Sequence, residues 1–300
     1  MKRRKFLALG VTSLSLSVAI AACNSSSENV IVIGSKNFTE QLILGELLAQ
    51  HIESNTNLKV DRRLNLGSTD ICHQAITSGQ IDAYVEYTGT AFTAILKNEP
   101  ISNSQQVYQK VKQAYAQQFQ LEVTEPLGFN NTFAIIIRGE DARKFNIQTI
   151  SQAAKQTPQW RAGFGYEFTE RKDGFPGLAK TYGLRFAKPP RIMDLGLMYR
   201  ALKEKQVDLV AGNSTDGSIH RLDLVVLKDD KQYFPPYDAV PIVRQQTLEK
   251  YPQLRPALQK LGGIITEKDM QNLNEQVEGQ RKDIKTVVQE FLKSKGLFKS

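Results

Sequence analysis

Cysteine is scarce in this 300-residue chain, which contains only Cys23 and Cys72. Cys23 ends an N-terminal leader, so Cys72 has no partner for a disulfide in the rest of the chain. Because Cys72 falls in an apolar pattern with helical spacing, we interpret it as a small core residue and not as a reactive thiol. The sequence therefore excludes a fold stabilised by a disulfide framework.

The residues that usually carry enzyme chemistry are also few. The three histidines show no Cys/His spacing typical of zinc sites: His51, His73 and His220. The chain contains no Gly-x-Ser-x-Gly elbow, no phosphate-binding loop and no dinucleotide fingerprint. Three acidic residues could act as acid or base groups, but no pairing among them is visible: Glu167, Asp194 and Asp216. We therefore predict that the protein is not an enzyme and uses no metal or cofactor.

Charge and hydropathy exclude two further classes. The formal net charge of the whole chain is +8, and it falls to +4 without the four basic residues at positions 2–5. No concentrated run of Lys and Arg remains beyond them, so we predict no nucleic-acid partner. After the leader, no apolar stretch approaches the length of a membrane span.

The N-terminus has the pattern of an export signal. A basic start at residues 2–5 precedes an apolar run over residues 6–22, which ends in Ile20-Ala21-Ala22-Cys23. This ending resembles a bacterial lipobox, in which the cysteine is lipidated and becomes the first mature residue. We predict a signal peptide over residues 1–22, a lipid anchor on Cys23 and a Ser-rich tether over residues 23–29. An ordinary signal peptide is the alternative, and Arg3-Arg4 leaves the Sec and twin-arginine routes both open.

About 270 residues follow the tether, a length that favours two lobes. Apolar runs that suit buried strands alternate with helical patterns, as in the strand predicted at residues 30–34 and the helix at 38–55. This alternation predicts an α/β fold with a parallel sheet. Beyond Thr247 the pattern is almost entirely helical, which suits a tail that returns to the first lobe.

Four segments carry specific motifs. Residues 33–41 read Ile-Gly-Ser-Lys-Asn-Phe-Thr-Glu-Gln, and residues 81–90 read Ile-Asp-Ala-Tyr-Val-Glu-Tyr-Thr-Gly-Thr. Residues 67–75 begin Gly-Ser-Thr-Asp, and residues 128–133 read Gly-Phe-Asn-Asn-Thr-Phe. Together they resemble the substrate-binding proteins of osmoprotectant ABC importers, the glycine betaine, carnitine and choline class. The resemblance extends from Val30 to the end of the chain.

The resemblance implies a two-lobe periplasmic-binding-protein fold of type II-like topology, with two inter-lobe crossings and a ligand cleft. The crossings are expected near Asn131 and Asp238, so that lobe 1 contains residues 30–131 and 239–300 and lobe 2 contains residues 132–238. Hinge closure would bury the ligand. The implied function is an extracytoplasmic, lipid-anchored, monomeric receptor that delivers a quaternary-ammonium or zwitterionic compatible solute to a membrane permease.

The resemblance also assigns the site. The family's cage positions, where aromatic faces hold a quaternary ammonium that cannot donate hydrogen bonds, are Tyr87, Phe133, Asn213 and Tyr237. Its anion-binding positions are Lys36, Thr90 and Arg171.

Two cage positions depart from the tyrosines usual in the family. Phe133 keeps a ring, whereas Asn213 removes one and offers an amide. This exchange would suit a ligand with a polar group near its cation, or a larger ligand. Asp70 either contacts the ligand cation or serves its own helix as a capping residue.

Alternatives remain for the ligand and for the class. An ergothioneine-like betaine or a cationic amino acid would use Arg171, Asn213 and a partial cage. A secreted enzyme on the same scaffold is a second alternative. Tyr84, three residues before Tyr87 on the same strand, faces the opposite side of the sheet, and we interpret it as core packing.

Overall fold

The computed structural model describes residues 29–298. The predicted signal peptide, the lipid anchor at Cys23 and the tether up to residue 28 lie outside the described residues. Within them, the strands are β1 Val30–Lys36, β2 Lys59–Gly67, β3 Ala83–Tyr87, β4 Leu121–Val123, β5 Phe133–Arg138, β6 Ala162–Phe164, β7 Arg191–Ile192, β8 Leu209–Asn213, β9 Leu224–Val226 and β10 Ala239–Arg244.

The helices range from single turns to 17 residues. They are α1 Thr39–Asn55, α2 Thr69–Thr77, α3 Thr88–Thr90, α4 Ser104–Phe119, α5 Gly139–Phe145, α6 Ile150–Ala153, α7 Tyr166–Glu170, α8 Phe175–Tyr182, α9 Leu195–Lys203, α10 Ser218–Arg221, α11 Gln245–Lys250, α12 Leu254–Gln259, α13 Glu267–Asn274 and α14 Ile284–Ser294. π-helical turns follow α3 at Ala91–Ile95 and α13 at Glu275–Gly279, and a 3₁₀ turn spans Thr157–Gln159. None of the described helices is long and apolar enough to cross a membrane.

Two five-stranded sheets form the two lobes. The strand order is β2-β1-β3-β10-β4 in the first sheet and β7-β6-β8-β5-β9 in the second. Both sheets are mixed, so the prediction of a parallel sheet was wrong in one respect. Strand β10 runs antiparallel to β3 and β4, and β5 runs antiparallel to β8 and β9.

The direction of these two strands follows from the connections between the lobes. Strands β1 and β3 of the first sheet and β8 of the second sheet have their carboxyl ends on the side that faces the other lobe. A chain that has just crossed between lobes enters its new sheet from this same side, so its first strand runs in the opposite direction. Strand β5 follows the first crossing and β10 follows the second.

The two crossings run side by side. Asn130 and Asp238 form an antiparallel bridge, and the Asn131 N–H donates to the Tyr237 carbonyl at 3.0 Å. In addition, the Tyr237 N–H donates to the Asn130 side chain at 2.6 Å. These hydrogen bonds hold the two connecting segments together.

Each lobe has apolar side chains packed on both faces of its sheet. In the first lobe, α1 lies on one face and the tail helices α12, α13 and α14 pack against it. Tyr84 is completely buried on the opposite face, together with Cys72, whereas Tyr87 belongs to the α1 side. Burial raises the pKa of the Cys72 thiol to about 12, in keeping with an unreactive core residue.

Candidate functional site

A cavity of about 310 Å³ lies between the lobes. Strand ends and helix starts position its walls, since β1 and β3 deliver residues from the first lobe and β5 and β8 from the second. The lining residues are Lys36, Asn37, Phe38, Ser68, Tyr87, Thr90, Asn131, Phe133, Gly165, Tyr166, Glu167, Phe168, Arg171, Met193, Asp194, Leu195, Ala211, Gly212, Asn213 and Tyr237. Its size is at the lower end of small-molecule sites.

Every residue predicted for the cage or for anion binding lines the cavity. Asp70 lies exposed in the first turn of α2, outside this lining. There its charge suits the positive end of the helix dipole, but the helix cap is Ser68, whose side chain makes no capping hydrogen bond. The structure thus assigns Asp70 neither of the two predicted roles.

Tyr87 ends β3 and is only 4% exposed. Its ring stacks on Phe38, with centroids 6.4 Å apart and an interplanar angle of 21°. The hydroxyl group donates to Glu40 Oε1 at 2.6 Å, so the orientation of the ring is fixed from behind. Phe38 lies in the motif at residues 33–41, but the sequence analysis assigned it no role.

The other lobe contributes a second group of aromatic side chains. Phe133 opens β5 and pairs in register with Asn213, the last residue of β8. Its ring meets those of Phe168 and Tyr237 edge to face, at centroid distances of 4.9 and 5.7 Å. Tyr166 lies at the cavity mouth and is 66% exposed. Phe168 and Tyr166 were not predicted, although the predicted anion-binding residue Arg171 lies only three residues after Phe168.

Arg171 is neutralised by Asp173, a completely buried residue of the same lobe. The guanidinium donates from Nε and Nη2 to Asp173 at 2.8 and 2.5 Å, and from Nη1 to Thr90 Oγ1 at 3.1 Å. Asp173 also accepts from the Tyr237 hydroxyl at 2.6 Å and lies 2.7 Å from Thr93 Oγ1. Burial acts to raise the pKa of Asp173, but the hydrogen bonds and charge of Arg171 hold it below its ordinary value.

Lys36 has an equivalent partner in the first lobe. Its Nζ lies 2.5 Å from Glu86 Oε1, and both side chains are buried. Both cationic residues also face cage rings. Lys36 Nζ is 5.1 Å from the ring centroid of Tyr87, and the guanidinium carbon of Arg171 is 5.0 Å from that of Phe133. The predicted cage and anion-binding residues therefore interleave in the cavity wall.

The remaining charges of the lining are acidic. Glu167 reaches from α7 to the first turn of α2 in the other lobe, where the Thr69 N–H donates to Oε1 at 3.0 Å. Its nearest cationic contact is Arg171 at 3.8 Å. Asp194 caps α9 by accepting from the Gly196 N–H. Lys36 and Arg171 balance the two acidic charges of the lining. With the buried partners Glu86 and Asp173, the six charges in and around the cavity sum to −2.

Comparisons with known proteins agree with this arrangement. The carnitine transport binding protein OpuCC of Listeria monocytogenes is 37% identical over 306 residues, which cover 99% of this chain and 98% of OpuCC. The ergothioneine transport permease/ergothioneine binding protein EgtU of Helicobacter pylori is 37% identical over 91% of this chain and 49% of its own length. A crystal structure described as a glycine betaine/carnitine/choline ABC transporter matches with a TM-score of 0.76 at 35% identity, covering 89% of this chain and 99% of that chain.

The two-lobe α/β fold and its inter-lobe cleft define a substrate-binding protein of an ABC importer, and this predicted class is confirmed. A family model described as the substrate binding domain of an ABC-type glycine betaine transport system matches residues 29–294. The chain belongs to this family, the OpuAC family.

Proposed function

We propose that the cleft binds a small solute with a quaternary ammonium group and that the protein delivers this solute to an ABC permease. The observation that carries the proposal is an aromatic cleft whose own cations are already neutralised. Tyr87, Phe133 and Tyr237 provide ring faces, and a methylated ammonium needs such faces because it has no N–H to donate. Glu167 and Asp194 add negative charge that attracts a cation.

A zwitterionic solute would also find an anion site. In Arg171, Nε and Nη2 face Asp173, whereas Nη1 faces Thr90 at the cleft and lies 3.8 Å from Glu167 Oε2. We propose that a ligand carboxylate binds at Nη1 and the Thr90 hydroxyl, where charge-assisted hydrogen bonds are strong. Both groups belong to the predicted anion-binding set, and they come from different lobes.

Calorimetric titration with a panel of solutes tests the proposal. The panel contains choline, glycine betaine, carnitine, ergothioneine and arginine, and we expect micromolar or tighter binding of at least one quaternary ammonium solute. Binding of arginine alone would reassign the cleft to cationic amino acids. Turnover of any bound solute would show that the protein is an enzyme and would overturn the receptor proposal.

We propose that the protein neither turns over its solute nor uses a cofactor, and that the receptor acts as a monomer.

Asn213 favours a second candidate ligand, a betaine with a polar group near its cation, such as ergothioneine. Asn213 lines the 310 Å³ cavity and also a neighbouring cavity of about 580 Å³. An amide at this boundary can hydrogen-bond a polar substituent and leaves more space than a ring. EgtU shares the same 37% identity as OpuCC, which is consistent with this candidate.

Replacing Asn213 with tyrosine tests this candidate. We expect Asn213→Tyr to strengthen glycine betaine binding by about tenfold, since one added cation–π contact contributes roughly 0.5–2 kcal/mol. The same change should weaken binding of the preferred solute, and adding Phe133→Tyr should enlarge the shift. Calorimetry with both solutes on each protein measures it. Asn213→Leu is the control for bulk without an aromatic face, and low-micromolar binding of glycine betaine by the unmodified protein would contradict the emphasis on Asn213.

We propose that Cys23 carries the lipid anchor that holds the receptor at the outer face of a bacterial membrane. The support is the sequence before Cys23 and the polar tether after it. We expect Cys23→Ser to release the protein into the soluble fraction of cells without detergent. Cys72→Ala removes the other, buried cysteine and should leave the protein in the membrane fraction. A Cys23→Ser protein that still requires detergent for extraction would place the anchor elsewhere.

A further inference from the structure

Glu40 lies directly behind the cage and is 3% exposed. Its Oε1 accepts from the Tyr87 hydroxyl at 2.6 Å and from Asn131 Nδ2 at 2.8 Å. Its Oε2 accepts from the Thr215 hydroxyl at 2.5 Å and from Asn274 Nδ2 at 3.1 Å. The Asn274 amide also donates to the Thr215 carbonyl at 2.9 Å, which fixes its orientation. Four donors thus converge on one carboxylate, as suits its ionised form.

The negative charge of Glu40 has no cationic partner among the residues that the structure describes. Glu86 and Asp173 differ from it, because they are paired with Lys36 and Arg171. Asp216 resembles Glu40, since it accepts hydrogen bonds and has no cationic partner among the described residues. Burial raises the pKa of Glu40, and the four hydrogen bonds oppose that shift. An unpaired buried carboxylate is costly unless a nearby cation offsets its desolvation.

Tyr87 connects this charge to the cavity, where its ring centroid also lies 5.1 Å from Lys36 Nζ. A phenol that donates its proton to a carboxylate is polarised, so its ring face becomes more negative and attracts a cation more strongly. The carboxylate lies at the hydroxyl end of the ring, and both side chains are buried. Tyr87 lines the cavity on one side and contacts Glu40 on the other.

The remaining partners of Glu40 come from three different parts of the chain. Asn131 lies in the first crossing, Thr215 follows β8 in the second lobe, and Asn274 ends α13 of the tail. Glu40 itself belongs to α1 of the first lobe. Its hydrogen bonds therefore hold the charge behind Tyr87 when the two lobes are in contact.

We propose that Glu40 is a positioning residue that gives the cleft its preference for a cation over a neutral molecule of the same shape, acting through the hydroxyl group of Tyr87. This inference rests on the proposed function. It assigns charge selectivity to a residue that is outside the lining of the 310 Å³ cavity and lines the neighbouring one, whereas shape selectivity belongs to the rings.

The test compares choline with 3,3-dimethylbutan-1-ol, which replaces the ammonium nitrogen by carbon. Binding of both compounds is measured by calorimetry or NMR titration on the full chain and on Glu40→Gln. We expect the affinity for choline to fall about tenfold or more and the affinity for the neutral alcohol to change less than twofold. A merely structural role would weaken both compounds equally and leave their ratio unchanged, which would overturn the inference.

Two further variants complete the experiment. Tyr87→Phe keeps the ring and removes the link to Glu40, so it should lower the same ratio, and it decides the question if Glu40→Gln does not fold. A Tyr87→Phe protein with the original ratio would overturn the inference. Glu46→Gln is the matched control, because Glu46 is a buried carboxylate on α1 that pairs with Arg62 at 2.9 Å, outside the lining. If the unmodified protein binds no quaternary ammonium, the proposed function fails instead.

Discussion

Asp173→Ala should abolish measurable solute binding and lower the free energy of unfolding by about 3–5 kcal/mol, the usual cost of breaking a buried ion pair on one side. Asp173 is completely buried and neutralises Arg171 through two hydrogen bonds. Without it, the guanidinium would remain in the inter-lobe interface as an unpaired charge, and the Tyr237 hydroxyl would lose its acceptor. Chemical denaturation and calorimetry measure the two effects.

A control for this prediction is Glu204→Ala, which removes an exposed partner of Arg200 in the same lobe. Exposed ion pairs contribute little, so neither stability nor binding should change noticeably. The double variant Arg171→Leu with Asp173→Leu should recover much of the stability, because no unpaired charge remains, but it should not recover solute binding. Recovery of both would show that Arg171 serves the fold alone.

Tyr237→Ala should have the second largest effect, with a loss of about 3–5 kcal/mol in the free energy of unfolding by analogy with other buried aromatic truncations. The Tyr237 ring is 2% exposed, packs edge to face on Phe133 and belongs to the second crossing. Its removal would leave a cavity at the hinge and take one wall from the cage, so binding should weaken more than tenfold.

Tyr237→Phe separates the ring from its hydroxyl group. This variant loses one hydrogen bond to the Asp173 carboxylate, which contributes about 1.5–3 kcal/mol when the partner is charged. It should therefore be less destabilised than Tyr237→Ala and should retain a cage. Thermal denaturation and titration of both variants give the comparison, and equal binding losses would indicate that the hydroxyl group, not the ring, matters at this position.

Much of the fold could be predicted because its signals are local. The period of two along β3 separates Tyr84 from Tyr87, and the structure places them in different apolar clusters. The sequence does not indicate helix α5, because Gly-Glu-Asp-Ala-Arg-Lys-Phe has no apolar stripe, and only Gly139 and Ala142 are buried. The two residues of β7 are exposed and have no apolar pattern either.

The site was predictable as a set of residues but not as a network. Motifs indicated the rings and the cationic side chains, which lie at strand ends and near helix starts. The carboxylates that pair with them or support them can be identified only from contacts between distant segments. Examples are the contacts of Lys36 with Glu86 and of Glu40 with Thr215. No spacing rule relates residues so far apart in the chain. In the sequence, Glu40 is therefore only one residue of the motif at residues 33–41, with no assigned role.

Several direct contacts join the lobes without the solute as an intermediary. Glu167 meets the first turn of α2, Asp173 lies beside Thr93, and the exposed pair of Lys172 and Glu99 spans the rim at 2.7 Å. Such contacts set the fraction of molecules that are closed at equilibrium, and the apparent dissociation constant scales inversely with the binding-competent fraction. Substitutions at this rim would therefore change the apparent dissociation constant for every solute by the same factor. The preference for one solute over another would stay the same.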